Sequence, residues 1–327
     1  MPINLFELKE HIRRRPAMYM GKNGIVGLIR TLVTDCIYFC HTDEITFEIA
    51  LTNENKFSLR LSSKHDLNPF IESFRSQDFD DSHRSSLLLK TIAEEFEISR
   101  KENGTIAIDF SFDKEVIKDT QIDYLLLNEE LLQIAILNRN TEILAIDTRR
   151  KYPCQDYYHF PEGVMYLFER VIAQAWGKPN FKVIFDNSSN SHKYQIGLAY
   201  RTDWYPNSTI VSFANDTTTI CGGSLVDGII EGLAFACREF AEENNLTSMK
   251  IKRKKLSNGL ILVCAVRGDN LTYGGSFRET LENGEIKKDA KKIAKNMVLE
   301  YFRSHQEIGN DFLKRFDPSD PLNVMYY

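Results

Sequence analysis

The sequence is most informative in what it lacks. It has no CxxC pair, no H-E-x-x-H motif, and no apolar run approaching the roughly 18 residues that a membrane-spanning helix needs. Its six cysteines lie mostly within apolar stretches, without histidines at metal-ligand spacing. The net charge of −5 excludes general nucleic-acid binding through a basic surface. These absences favour a cytoplasmic, metal-free protein with reduced thiols and no membrane contact, in which any DNA contact comes from a local patch.

What is present is a regular alternation of helical and strand patterns. A length of 327 residues suggests two domains. Apolar spacing and alternation predict helices and strands in both halves of the chain. The predicted helices cover residues 5–15, 24–40, 85–96, 123–135, 162–176, 225–243 and 285–302. The predicted strands cover 44–51, 56–61, 104–112, 142–147, 181–185, 194–200, 208–213 and 259–266. The polar segment 62–84 is predicted to be a loop, and the pattern as a whole is typical of an α+β protein with two domains.

Three separated motifs carry a family resemblance. Residues 13–21 read R-R-R-P-A-M-Y-M-G, and residues 212–216 read S-F-A-N-D, followed by Gly222-Gly223-Ser224 before a helix. Asn258-Gly259-Leu260 precedes a strand, with Gly275-Ser276-Phe277-Arg278 further along. In this order the motifs resemble the N-terminal ATPase and transducer region of type IIA topoisomerase B subunits, that is, the B subunits of DNA gyrase and topoisomerase IV. Residues 110–116 resemble the segment that closes the ATPase half.

The resemblance implies a particular architecture. It implies a GHKL (Bergerat) ATPase-like α/β sandwich in residues 1–160, followed by a ribosomal-S5-like transducer domain in residues 161–327. The resemblance ends where the family continues into its cleavage domain. The alternative is an unrelated α+β protein that shares a few short motifs with the family.

The resemblance also implies an ATP site whose parts can be compared with this sequence. On the second predicted helix, the family's general-base glutamate aligns with Thr31, the next aspartate with Thr34, and the Mg²⁺-binding asparagine with Asp35. A threonine hydroxyl cannot take a proton from water at neutral pH, so we expect no catalytic base here. Asp35 could still bind Mg²⁺ through a carboxylate oxygen if nucleotide binds.

The two loops that would surround the nucleotide have lost their glycines. Ser62–Asp66 stands where the family has the adenine-binding D-x-G-x-G loop. Asp66 is an alternative adenine acceptor, although we favour a surface carboxylate. Residues 80–86, which begin Asp80-Asp81, replace the glycine-rich phosphate loop, and these two carboxylates would repel a triphosphate. We expect Ser85 to cap the following helix.

Two positions keep the family's residue type or its charge. Gly104-Thr105 matches a Gly-Thr pair on the strand beneath the adenine, and Arg278 stands where the transducer lysine contacts the γ-phosphate. Both have ordinary alternatives: Thr105 suits any strand, and Arg278 can pair with Glu279 or Glu282. The cofactor-binding candidates are therefore Asp35, Thr105 and Arg278.

The densest basic run is a candidate nucleic-acid contact. It contains Lys250, Lys252, Arg253, Lys254 and Lys255, and lysines 287, 288, 291 and 292 on the last predicted helix could extend it. A solvated hairpin and helix face is the alternative that we favour for an acidic protein.

The functional hypothesis is a gyrase B-like homologue without the cleavage domain, acting as a non-hydrolysing pseudo-ATPase. It would be a binding or scaffold module in a DNA-topology or DNA-associated process. The alternative is a divergent but active ATP-binding component of a type II DNA topoisomerase that uses Asp35. We expect no cofactor, or ATP with Mg²⁺ if the site still works. The expected partner is a protein that supplies the cleavage domain, or an unrelated protein.

We expect a monomer or a nucleotide-independent dimer. Only Met1–Asn4 precede the first helix, too few residues for the arm that crosses between protomers in the family. A dimer could form through the apolar residues of the first helix, namely Leu5, Phe6, Leu8 and Ile12. These residues could equally pack on their own domain, which is the alternative that we favour.

Overall fold

The chain divides into two compact units, Met1–Gly163 and Val164–Tyr327. The computed structural model describes residues 5–20, 23–75, 84–118, 121–175, 178–179, 181–187, 192–201, 207–246, 251–275 and 278–317. None of the helices in these ranges is both long and apolar enough to cross a membrane.

The first unit consists of six helices and a six-stranded sheet within the described residues. Its elements are α1 Leu5–Arg14, α2 Pro16–Met20, α3 Gly24–Phe39, β1 Ile45–Asn53, β2 Lys56–Ser63, α4 Asn68–Arg75, α5 Arg84–Ile92, β3 Ala93–Arg100, β4 Ile106–Phe112, α6 Tyr124–Leu137, β5 Glu142–Asp147 and β6 Cys154–Tyr158. Pro16 separates α1 from α2 because proline has no N–H to donate to α1, yet suits the first position of a new helix.

The sheet of the first unit is mixed, with strand order β3-β4-β2-β1-β5-β6. β1 and β5 are parallel, and the other neighbouring strands are antiparallel. Leu59 pairs with Ile108, and Leu61 pairs with Ile106. The apolar face of this sheet forms one core with side chains from α3, α4, α5 and α6.

Two predictions for the first unit are wrong, and one of its strands was not predicted. The segment predicted as a loop at 62–84 contains α4, which buries Phe70, Ile71 and Phe74. The helix predicted over 85–96 ends at Ile92, and β3 continues from Ala93 as an edge strand beside β4. β6 was not predicted, because its mostly exposed residues give no clear apolar alternation.

The first helix packs on its own unit. Ile12 is buried in the core, and Leu8 packs against it. The side chains of Leu5 and Phe6, the other residues considered as a dimer surface, lie outside the described residues.

The second unit places long helices against a five-stranded sheet. Its elements are α7 Val164–Gln174, β7 Lys182–Asn187, β8 His192–Tyr200, β9 Thr209–Ala214, β10 Thr217–Thr218, α8 Ser224–Glu243, α9 Arg253–Ser257, β11 Leu260–Gly268, β12 Tyr273–Gly274, β13 Thr280–Leu281, α10 Gly284–Ser304 and α11 Gln306–Lys314. The larger sheet has strand order β10-β9-β11-β8-β7, and β12 and β13 form a separate two-stranded sheet. β9 and β11 are parallel, and β8 is antiparallel to β11.

Glycines bring the two longest helices of the second unit into close contact. A Cβ atom added at Gly228 or Gly232 of α8 would overlap the carbonyl oxygen of Lys287 or Lys291 on α10. The same atoms would lie 2.9 Å from the Cβ atoms of Ala290 and Ala294. Only glycine lets the helix backbones approach this closely, so these small residues fix how α8 crosses α10.

Candidate functional site

The side chain that the resemblance aligns with the general base is hydrogen-bonded to its own helix. Thr31 lies on α3, is half-buried, and donates from Oγ1 to the carbonyl oxygen of Gly27 at 2.8 Å. Thr34, one turn further along, donates to the carbonyl oxygen of Thr31 at 3.0 Å. Both hydroxyls therefore satisfy backbone carbonyls of α3, an arrangement usual for threonine within a helix. Neither side chain can act as a base toward water.

The carboxylate that the resemblance aligns with the metal ligand, Asp35 of α3, contacts α5. Ser85, the second residue of α5, is 2% exposed, and its hydroxyl donates to Oδ2 of half-buried Asp35. Ser85 therefore lies inside the helix and bonds to a side chain of α3, so the prediction that it caps α5 is wrong. A hydrogen bond to a carboxylate is stronger than one between neutral groups. This bond fixes the start of α5 against α3.

The residues that the resemblance aligns with the adenine loop are the end of β2 and the turn that leads into α4. Asp66 is exposed, and its Oδ1 accepts a hydrogen bond from the N–H of Asn68, the first residue of α4, at 2.9 Å. On α4, Phe70 and Phe74 are 0% and 2% exposed, and their ring centroids lie 5.2 Å apart. Asp66 thus satisfies a backbone N–H at the start of α4, and the helix contributes apolar volume to the core. Asp80 and Asp81 lie outside the described residues.

Gly104-Thr105 forms the turn that joins β3 to β4. Gly104 has a φ of 84°, a conformation that favours glycine. The N–H of Lys101 donates to the carbonyl oxygen of Thr105 at 2.8 Å, and the N–H of Thr105 donates to Oδ1 of Asn103 at 3.1 Å. β4 begins at Ile106, so Thr105 lies just before the strand on which it was predicted. The turn alone explains why a glycine stands at position 104.

Arg278 lies in the second unit and contacts an aromatic ring. Its guanidinium carbon lies 5.4 Å from the centroid of the Tyr273 ring, within the range of a cation–π interaction. The Arg278 side chain is exposed. Burial raises the pKa of Tyr273, and the positive charge of Arg278 opposes that rise.

The basic run is partly paired with acidic residues. Arg253, on the short helix α9, forms a salt bridge with Asp227 of α8. Lys252 is exposed and Lys255 is half-buried. Lys250 lies outside the described residues, as does the side chain of Lys254. The structure thus describes the side chains of three of the five basic residues in the run.

Two of the four lysines of α10 that were considered as an extension of this run face Glu231 of α8. Lys287 lies 2.7 Å from a carboxylate oxygen of Glu231, and Lys291 lies 4.0 Å from the other oxygen. The hydrogen bond from Lys287 lowers the pKa of Glu231 below its usual value. Two ammonium groups thus face one carboxylate on this side of α10, whereas Lys288 and Lys292 are exposed.

A groove that the sequence patterns did not predict lies on the polar face of the first sheet. Its volume is about 540 Å³, and its lining includes Lys56, Glu95, Glu97 and Asp109 from β2, β3 and β4. Lys56 lies 2.6 Å from Glu95, and this hydrogen bond raises the pKa of Lys56 and lowers that of Glu95. The alternation of side chains along β2, β3 and β4 places these residues on one face of the sheet. The sequence patterns did not reveal this face, because part of β3 was predicted to be a helix over 85–96. Three carboxylates against one ammonium make the groove unsuited to a triphosphate.

Comparison with known proteins shows which proteins this chain is similar to. Residues 163–317 match the family model described as DNA gyrase B. The chain is 24% identical over 229 residues to the B subunit of DNA gyrase from Mycoplasma pneumoniae, a match that covers 66% of this chain and 35% of the relative. It is 23% identical over 235 residues to the B subunit of DNA gyrase from Archaeoglobus fulgidus, covering 72% of this chain and 35% of that relative. The chain thus spans about a third of the length of these curated relatives.

Solved structures share the fold over nearly the whole chain. The B subunit of the DNA gyrase from Myxococcus xanthus superposes with a TM-score of 0.75 at 18% identity, covering 94% of this chain and 99% of that one. The ATPase domain of Thermus thermophilus gyrase B in complex with an aminocoumarin gives a TM-score of 0.72 at 16% identity, covering 93% and 92%. The topoisomerase IV ATP-binding domain of Francisella tularensis gives 0.74 at 17%, covering 94% and 95%. The predicted fold class, a GHKL ATPase-like sandwich followed by a transducer, is confirmed.

Proposed function

We propose that this chain, which contains a type IIA topoisomerase B-like region, is a pseudo-ATPase that does not hydrolyse ATP. It would act as a binding or scaffold module in a DNA-topology or DNA-associated process in the cytoplasm. In this proposal residues 1–160 are the ATPase-like domain and residues 161–327 the transducer. We expect no resident cofactor.

The contact between Asp35 and Ser85 carries the proposal. The resemblance implies that the residue at position 35 binds the magnesium ion that bridges the phosphates. It also implies that the loop before α5 surrounds the phosphates. Here the carboxylate of Asp35 accepts a hydrogen bond from the first turn of α5. A Mg²⁺ ion bound through Oδ2 would have to displace this hydrogen bond, which joins two partly or fully buried groups. At position 31, the hydroxyl of Thr31 already donates to the carbonyl oxygen of Gly27 and provides no base.

The packing of α4, which follows the segment aligned with the adenine loop, supports the same conclusion. An adenine site needs an open cleft with an acceptor aimed into it. The segment after β2 instead forms α4, with Phe74 packed against Phe96 at 5.5 Å between ring centroids. Asp66 is engaged at the start of α4. Nucleotide binding would therefore require rearrangement of a packed helix, which is costly because close-packed cores resist deformation.

The experiment that tests this proposal is calorimetric titration of the full chain with Mg²⁺ and a non-hydrolysable ATP analogue, together with a phosphate-release assay. We expect no binding heat, and phosphate release equal to that of Thr31→Ala with or without DNA. The divergent-ATPase alternative predicts binding and release that Asp35→Asn abolishes. If such binding occurred, Asp35, Thr105 and Arg278 would be its first candidate contacts.

A matched variant sharpens the test. Ser85→Ala removes the hydroxyl that engages Asp35 and leaves the carboxylate in place. If the hydrogen bond alone closes the metal position, this variant gains Mg²⁺-dependent nucleotide binding, whereas Ser86→Ala does not. Ser86 is the matched control because it is similarly buried, at 3% exposed, and its hydroxyl donates to the carbonyl oxygen of Ser73 instead. Phosphate release by the unmodified chain well above that of Thr31→Ala would overturn the proposal.

The role in DNA topology rests on the relatives. They are B subunits of DNA gyrase about three times as long as the matched part, and we propose that a partner protein provides the cleavage function. The runner-up is an unrelated protein partner. Co-purification from native cells separates the two outcomes: a topoisomerase A-type or cleavage-domain partner supports the proposal, and its consistent absence contradicts it. Sedimentation with and without Mg-ATP should show a monomer or a dimer that does not respond to nucleotide.

A further inference from the structure

A histidine and two carboxylates converge in the second unit, at positions to which the resemblance gives no role. His192 is the first residue of β8, and Glu285 and Asp289 lie in the first turns of α10. One ligand-type atom from each of the three side chains lies within 4.8 Å of the other two. His192 is 8% exposed, Asp289 is half-buried and Glu285 is exposed. The cluster is therefore partly desolvated but keeps one side open to solvent.

The local structure explains why the three side chains meet. Glu285 and Asp289 are four residues apart on a helix, so they project from the same face of α10. Tyr194 lies on the same face of β8 as His192, because it is two residues further along the strand. Its hydroxyl donates to Oδ2 of Asp289 at 3.3 Å. Strand and helix thus hold the imidazole and one carboxylate independently, and the exposed Glu285 supplies the second carboxylate.

This combination of donors has a clear chemical preference. One imidazole nitrogen with two carboxylate oxygens suits transition-type divalent ions such as Zn²⁺ and Mn²⁺. Mg²⁺ prefers oxygen ligands alone and dehydrates reluctantly. Three ligands around Zn²⁺ at ~2.1 Å would lie about 3.4 Å apart, so ligand atoms that now lie within 4.8 Å of one another would have to approach by at most about 1.4 Å. Rotation of the exposed Glu285 moves its own carboxylate toward the other two ligands without disturbing the core.

We propose that His192, Glu285 and Asp289 form a binding site for a divalent transition ion, with Zn²⁺ as its best occupant. The bound ion joins the start of β8 to the start of α10. Three protein ligands leave a coordination position for water, which faces solvent beside Glu285. The site lies within the second unit and does not depend on whether the first unit binds nucleotide.

An ion at this position would stabilise the folded second unit. Binding to the folded state alone raises its stability by mass action, in proportion to the logarithm of the free ion concentration over Kd. At a hundred-fold excess over Kd, the midpoint of thermal unfolding should rise by roughly 5–10 °C for a unit of this size. Mg²⁺ at the same concentration should give a much smaller shift.

The test uses the full chain after removal of metal with a chelator. Zn²⁺ is titrated by calorimetry, and thermal unfolding is followed with Zn²⁺, Mn²⁺ or Mg²⁺. We expect one Zn²⁺ per chain. Glu285→Gln should weaken binding by roughly 10- to 100-fold, and His192→Gln by at least as much. Because Glu285 is exposed, its substitution tests the site without threatening the fold.

Matched controls come from the same unit. His305→Gln and Glu300→Gln remove an exposed histidine and an exposed carboxylate away from the cluster, and both should leave Zn²⁺ affinity unchanged. Cobalt substitution separates this site from binding by the exposed Cys154 or Cys221, because thiolate ligands give an intense charge-transfer band. Three outcomes would overturn the proposal: a thiolate charge-transfer band, an equal loss of Zn²⁺ affinity in the His192 and His305 variants, or the absence of binding heat.

Discussion

The two units of this chain use their small and polar residues in different ways. In the second unit, which contains nearly all of the segment matching the gyrase B family model, Gly228 and Gly232 lie against the backbone of α10. In the first unit, the segments that the resemblance assigns to nucleotide contain no glycine-rich loop. Their described parts are the end of β2 with the turn that follows it, and the start of α5. Between them, α4 packs Phe70 and Phe74 into the core.

This difference shows which constraints persist in the sequence. Contact between two helix backbones admits only glycine, so the residue type is fixed by geometry whatever the protein does. A core tolerates many apolar combinations of similar total volume, so the first unit can keep its fold while its individual residues change. Similarity in the second unit therefore says little about chemistry in the first.

The largest expected effect tests whether α4 belongs to the core of the first unit. Phe70→Ala removes a fully buried ring and should lower the free energy of unfolding by about 4 kcal/mol. Urea denaturation measures this loss. Tyr152→Ala is the control, because its ring is 76% exposed and its removal should cost less than about 0.5 kcal/mol. Equal, small effects would show that α4 is not packed as described.

The second prediction addresses the glycine contacts of the second unit. Gly232→Ala forces a methyl group onto the carbonyl oxygen of Lys291 and should cost about 3 kcal/mol, despite the better helix propensity of alanine. Gly284→Ala is the matched control, because a Cβ atom there meets nothing within 4 Å. Thermal unfolding should separate the two variants by several degrees. A stable Gly232 variant would remove the steric explanation for this glycine.

The third prediction concerns acid stability in the first unit. Arg149 hydrogen-bonds Asp147, which is 2% exposed, through Nε and Nη2, each at 2.8 Å, and these bonds lower the pKa of the carboxyl group below its usual value. The folded-state pKa is depressed, so the stabilisation is present above the unfolded pKa and is lost as pH falls through the folded value. Asp147→Asn should therefore cost about 2 kcal/mol at pH 7 and progressively less below about pH 4.

Urea denaturation between pH 7 and pH 3 measures this convergence. Asp269→Asn, an exposed carboxylate of the second unit, should change the free energy by less than about 0.5 kcal/mol throughout. A constant difference between wild type and the Asp147 variant at all pH values would contradict the assignment to the ionised pair.

The smallest expected effect concerns the basic run. Arg253→Ala breaks an exposed salt bridge with Asp227 and should cost less than about 1 kcal/mol. If Lys252 and Arg253 contact DNA phosphates, their double alanine variant should also reduce the salt dependence of DNA binding, by about two in the logarithmic slope. We expect no such change, because Arg253 is already paired. A weakened, less salt-dependent complex would show that the run binds DNA.

The regular elements were predictable where local pattern and burial agree. β5 was predicted with its observed bounds, and α3, α8 and α10 differ by at most two residues at each end. α4 was missed because its apolar residues are embedded among polar ones and follow Pro69, so the segment as a whole resembled a loop. β3 was missed because it begins directly after α5, with no turn residue between them. The residues Glu95 and Phe96 were therefore predicted as a continuation of that helix.

The sequence by itself determined the two α+β domains, the family resemblance and the residue types at the expected ATP site, because periodicity and short motifs are local properties. Only the tertiary structure decided what those residues touch. Ser85 bonds to Asp35 although they are 50 positions apart, and His192 approaches Asp289 from a different element. Such contacts depend on how strands and helices pack, and packing is set by the whole core rather than by any one segment.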